Sequence, residues 1–202
     1  GVVDNTTARV FAEGTRANET PEEARQRRFT GGEVDSPTRN LARYIERMAV
    51  HVPNLDVMMV YRLDRFARGG HHRPFNDLGY PAVRVMETNE HYDRQHQDLR
   101  TETDAQGRRR VYGDTIDGVD FDYAAKLTAL NAVSLAALAS APPPPARVSI
   151  EGAVSADTTL KWTRPDPKQA PNLAGYKVLG RLTTEQRWTH SRWVGDVSAD
   201  TM

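Results

Sequence analysis

Four consecutive prolines, Pro142 to Pro145, constrain this chain more than any other stretch of it. A proline run has no amide donors and a fixed φ, so it enters neither a helix nor a sheet; it adopts stiff polyproline II and marks a domain boundary. The hydrophobic period changes across it. Upstream, "DSPTRNLARYIERMAVHV" offers Asp35 or Ser36 as N-cap and Pro37 at the first helical position. Leu41, Tyr44, Ile45, Met48 and Val52 then recur at helical spacing, up to a stop near Pro53. "LDVMMVYRL" is apolar almost throughout and predicts a strand covered on both faces. "RPFNDLG" predicts a short helix stopped by Gly79, and "PAVRVME" a second strand. Asp120 caps a long helix with a core stripe of Tyr123, Leu127, Leu130, Val133, Ala137 and Leu138. This alternation of helix and strand predicts a three-layer α/β sandwich around a central sheet.

Val2 to Phe11 has β character, and Glu13 to Asp35 reads as a long polar excursion, helical around Pro21 to Arg28. Downstream of the prolines the period is two: "ARVSIEGAV", "TTLKWTR", "AGYKVLGRL" and "RWTHSRWVG" are separated by Asp-, Pro- and Gly-bearing turns, as in an antiparallel β-sandwich. The domains expected are therefore 1–141, a linker at 142–146, and a partial sandwich at 147–202.

Composition narrows the function. The 27 basic and 27 acidic residues balance, so nothing advertises nucleic acid or an anionic membrane. No apolar run is long enough to span a bilayer. With no cysteine there is no disulfide scaffold, thiolate zinc site or cysteine nucleophile. The chain begins Gly-Val-Val without a signal peptide, and reads as an internal fragment. No Gly-x-Ser-x-Gly elbow or phosphate-binding glycine loop occurs. The run Arg108 to Arg110 reads as a solvated turn.

Histidine carries what chemistry remains. In an extended "HQD" segment His96 and Asp98 point to one side, where the carboxylate would orient the ring and raise its basicity. From the residues alone, a solvated His–Asp pair and a metal ligand both stay open. His71 and His72 are adjacent, so they diverge rather than chelate one ion; one ring packed inward is the simpler reading. His91 reads as an exposed loop residue, His51 suits a helix C-terminus, and His190 lies apart in the β-rich tail.

The order "HHRPF", "GYPAV" and "HQD", from His71 to Asp98, resembles the late part of the co-catalytic zinc aminopeptidases of clan MH, relatives of glutamate carboxypeptidase and glutaminyl cyclase. The likeness covers roughly Val2 to Leu138. It implies a mixed central sheet and makes His96 the last zinc ligand, with Asp98 behind it. It also puts His71, His72 and Phe75 at the substrate pocket. The family holds two zinc ions about 3.5–4 Å apart, which activate a water that attacks a peptide carbonyl. Its glutamate base and other ligands come earlier in the chain, so they are expected before Gly1, and no catalytic base is assigned here. Relatives carry Asp at the place of His71, and some carry Tyr at the place of Gln95. These departures bear on substrate preference and oxyanion stabilisation.

The tail resembles a truncated fibronectin type III module, on Leu160, Trp162, Pro165, Tyr176, Val178 and Arg181. The resemblances together imply a fragment of a secreted or periplasmic bacterial zinc aminopeptidase acting on peptide or protein substrates, inactive by itself. A carboxypeptidase, a glutaminyl cyclase or a non-catalytic binding scaffold of the same fold are the alternatives.

Overall fold

The computed structural model describes residues 4–30, 32–151 and 157–202. Val2 and the Gly152–Val154 end of "ARVSIEGAV" lie outside them. The chain divides into two compact units, Gly1–Leu135 and Ala136–Met202.

In the first unit, strand β1 (Thr7–Phe11) lies at the centre of a three-stranded sheet. It pairs in parallel with β2 (Asp56–Val60), Val10 opposite Met59, and antiparallel with β3 (Arg84–Glu87), Arg9 opposite Met86. The sheet is therefore mixed. Helix α1 (Pro21–Thr30) starts on a capping box: Thr20 Oγ1 accepts from the Glu23 amide, and Glu23 answers by accepting from the Thr20 amide at 2.8 Å. Helix α2 (Pro37–Met48) is capped by Ser36, whose Oγ accepts from the Arg39 amide at 3.2 Å and donates to the Glu13 carbonyl at 2.7 Å. A 3-10 turn, Ala49–His51, extends it to the expected end.

The core lies on one side of the sheet. Ala8, Val10, Val57 and Met59 meet Ala42, Ile45 and Ala49 of the α2 segment, and Tyr123 and Leu130 of the long helix α4 (Phe121–Ser140). β2 is not covered on both faces as its apolar run predicted. Val57 and Met59 are buried but Met58 is half exposed, so the strand alternates. The unbroken apolar run Val57 to Val60 hid a period that packing reveals. The α4 stripe is likewise shorter than predicted: Leu138 is exposed, and the last buried position is Ser134, whose hydroxyl donates to the Leu130 carbonyl at 2.7 Å.

One hairpin is new to the sequence reading. It pairs β4 (Arg100–Thr103) with β5 (Arg109–Tyr112) and takes in Arg109 and Arg110, which are therefore strand and not turn. Every residue of β4 is exposed, so no buried face left an apolar pattern to find. Helix α3 (Arg73–Asp77) is the short helix expected, and Gly79 behind it takes φ +84°, which glycine adopts without a Cβ clash.

In the second unit, β6 (Ala146–Glu151) pairs antiparallel with β7 (Thr159–Thr163), and β8 (Tyr176–Gly180) with β9 (His190–Val194). These are the four strands read from the sequence. The chain end adds to β7 through mutual hydrogen bonds of Leu160 and Met202 at 2.7 and 2.9 Å. Trp162 and Tyr176 are buried, their ring centroids 5.1 Å apart and tilted by 54°, a favoured aromatic geometry.

Candidate functional site

Because β1 and β2 run parallel, their carboxyl ends, Phe11 and Val60, lie at the same edge of the sheet. In open α/β sheets that edge is where ligands bind. The segments that leave it carry Glu13 after β1, and Asp64 and Arg65 after β2.

Asp64 is 4 % exposed. Its Oδ1 accepts from the Arg65 amide at 2.7 Å, and its Oδ2 from Arg84 Nη1 at 3.2 Å. Burial pushes its carboxyl up, but the Arg65 amide, Arg84 and His72 together outweigh this and hold it below the usual carboxylate value. Arg65 goes on to donate through Nη1 to Glu90 Oε1, and reaches Gln95 Oε1 at 3.5 Å. Glu90, whose side chain is also almost wholly buried, accepts a second guanidinium, Arg9 Nη2, on Oε2 at 3.3 Å. Arg9 Nε in turn donates to the Glu87 carbonyl at 2.9 Å. Thus two buried carboxylates and three partly buried arginines from β1, the segment after β2, β3 and the segment after it form one ion cluster. None of the five was singled out by the sequence: each stands alone among ordinary surface-type residues, and no spacing rule joins them.

The predicted residues fall around this cluster unevenly. His96 follows Gln95 in a turn, not an extended segment, and its backbone sits at φ +54°. The period-two argument for Asp98 therefore does not apply: both side chains are exposed, and no hydrogen bond joins them among the described residues. The Asp98 carbonyl instead accepts from Arg100 at 3.5 Å. His72 is the buried ring of its pair and His71 the exposed one. His72 Nε2 donates to the Leu63 carbonyl at 2.7 Å, since a carbonyl only accepts, which leaves the buried Nδ1 without a partner among the described residues. Phe75 projects outward, more than half exposed. His51, His91 and His190 are exposed.

A cavity of about 550 Å³ opens beside the cluster, lined among others by Arg84, Glu87, Glu90, His91, Gln95 and Tyr123. His71, His72, Phe75 and His96 are not among its lining residues. Glu13 is a further group that the sequence did not suggest: burial, and then the nearby Asp77 charge, push its carboxyl up.

Among the described residues no three His, Asp or Glu side chains converge on a point where a metal ion could bind. The donor set for a zinc centre is thus not assembled from these residues; His96 offers one exposed imidazole, whereas zinc takes three or four ligands.

Over its whole length the chain is 43 % identical to 46 % of a probable zinc metalloprotease of Leptosphaeria maculans. Over 98 % of its length it is 41 % identical to 40 % of one from Pyricularia oryzae, and 40 % identical to 40 % of one from Pyrenophora tritici-repentis. These relatives are fungal. The chain spans less than half the length of these relatives. No family model matches it. No solved structure matches it significantly.

Proposed function

We propose that the chain is part of a zinc-dependent aminopeptidase and that His96 is one of its metal ligands. The single observation that carries this is the similarity of the entire chain to part of several probable zinc metalloproteases. Two features of the molecule agree with it. The mixed sheet has its parallel pair at the centre and one edge, and the "HQD" turn is tied, through Gln95 and Arg65, to the segment that leaves the carboxyl end of β2. The His96 ring is exposed, so it is open to an incoming ligand set.

The remaining ligands and the general base belong, in this reading, to the part of the relatives that the chain does not span. The described residues do not make a zinc centre, and in this reading the isolated chain hydrolyses nothing. What they supply is a placed imidazole and the wall on which it stands. Zinc with aminoacyl chromogenic substrates tests both halves of the reading. The chain alone gives no turnover, and the full-length gene product turns substrate over until His96→Ala removes the activity. Full activity in that variant would refute the assignment.

A further inference from the structure

We propose that Asn18 carries an N-linked glycan and that Asn5 stays bare.

The chain holds two Asn-x-Thr motifs, Asn5-Thr6-Thr7 and Asn18-Glu19-Thr20. This triplet is the acceptor sequence for N-glycosylation in proteins that enter the secretory pathway. The relatives are fungal, and fungi carry the transferase. In the transfer the asparagine Nδ2 bonds to C1 of a lipid-pyrophosphate-linked oligosaccharide. The C1–O bond to pyrophosphate breaks, Nδ2 gives up one proton, and the lipid pyrophosphate leaves. The sequence offers both sites equally; the fold does not.

Asn5 is half-buried and held through both its side chain and its backbone. Its Nδ2 donates to Asp120 Oδ2 at 3.1 Å, and its carbonyl accepts from Lys126 Nζ at 2.9 Å. Asp120 uses its other oxygen to accept from the Tyr123 amide at 2.9 Å, capping α4. A glycan on Asn5 would have to enter the joint between the approach to β1 and the start of α4, where Tyr123 belongs to the core. Asn18, by contrast, lies in an exposed turn between β1 and α1. Its Nδ2 donates to the Leu78 carbonyl at 3.3 Å, a long bond. An asparagine nitrogen has two hydrogens, so that bond can outlast the loss of one. Thr20, the third residue of the motif, is exposed as well.

The surface beside Asn18 points the same way. Its amide group packs on Gly79, where a Cβ would come within 2.5 Å of Nδ2. On either side of that glycine, Leu78 and Tyr80 are more than half exposed. So is Phe75, whose carbonyl accepts from the Leu78 and Tyr80 amides at 3.1 and 2.9 Å. Three large apolar side chains thus crowd one surface segment, and the acceptor amide rests against it. Single exposed apolar residues are ordinary, but a cluster of them marks a surface that something covers. A bulky, hydrated oligosaccharide anchored at Asn18 covers it, laying the C–H faces of its sugar rings on the aromatic side chains and its hydroxyls to water.

The test takes the full-length gene product from the organism that carries the gene. Peptide-N-glycosidase in heavy-oxygen water turns a glycosylated asparagine into labelled aspartate, which tandem mass spectrometry maps. Label at Asn18 and none at Asn5 is the expected result. No label at Asn18 overturns the proposal, whether the protein stays out of the secretory pathway or the site is passed over. Label at Asn5 in the folded protein overturns the discrimination between the two. Asn18→Gln should lose the gel-mobility shift of one glycan, whereas Thr20→Ser, which keeps a hydroxyl for the motif and for the α1 cap, should retain it. The Asn18→Gln protein should also bind more of an apolar fluorescent dye than the parent, and Leu78→Ser in the same chain should reverse the gain. Dye binding unchanged by Asn18→Gln would overturn the covering role. Mapping of the parent protein needs no variant to fold, so it decides alone should Asn18→Gln be lost.

Discussion

Arg43 donates through Nη2 to the hydroxyl of Tyr61 at 2.7 Å, and this bond joins α2 to the segment leaving β2. Arg43 is fully buried, and its other donors go to the Val34 carbonyl, Asn40 and Asp35. A buried arginine is tolerable only with its charge and its donors matched, as they are here. Arg43→Ala leaves those acceptors unmet and opens a void, so it should cost about 3–5 kcal/mol. Tyr61→Phe, which removes one bond, should cost about 1–2 kcal/mol. Urea denaturation of both variants checks the ratio; equal costs would mean that Tyr61 is the whole of the anchor.

Asp64 should contribute to the acid limb of stability. Its folded pKa lies below 3.8, so the stabilisation is complete above that value and is lost as pH falls through the lower, folded one. Asp64→Asn should therefore be clearly less stable than the parent at neutral pH, with the gap narrowing below pH 3.8. Melting temperatures across that range are the measurement. A gap independent of pH would show that shape, and not charge, is what Asp64 contributes.

Glu13 has the opposite sign. Its folded pKa is raised above 4.5 by burial and then by Asp77, so its ionised form is a liability of the folded state above that range. Glu13→Gln should raise the melting temperature at neutral pH by a small amount, on the order of 1 °C given its partial exposure, and the gain should vanish below pH 4.5. Asp77→Asn removes the second cause and should let the Glu13 pKa fall part of the way back towards its ordinary value. A fall in stability with Glu13→Gln at neutral pH would contradict the assignment.

Leu130 is fully buried against the sheet side of α4, whereas Leu138 on the same helix is exposed. Leu130→Ala should cost about 2–5 kcal/mol and Leu138→Ala under about 1 kcal/mol. Chemical denaturation followed by circular dichroism would separate them, and similar costs would place the core differently.

The elements with their own punctuation were legible in the residues. Ser36 and Pro37 start α2, Gly79 ends the segment of α3, and the strands after Pro145 fall where turn residues separate alternating runs. The β4–β5 hairpin was not legible, because its exposed strands bury no face. The His96 segment was misread as extended: it is a turn closed by the Arg94 and Gln95 amides donating to the His91 carbonyl, with His96 at φ +54°.

Local chemistry alone determined where α2 begins and stops and where the strand-rich part starts, because caps, prolines and period act within a few residues. Tertiary structure decided which face of β2 is buried, which of His71 and His72 turns inward, and that Glu90 meets Arg9 across 81 positions of sequence. Those outcomes depend on the removal of water and on charges meeting at a distance, and no window of neighbouring residues contains either.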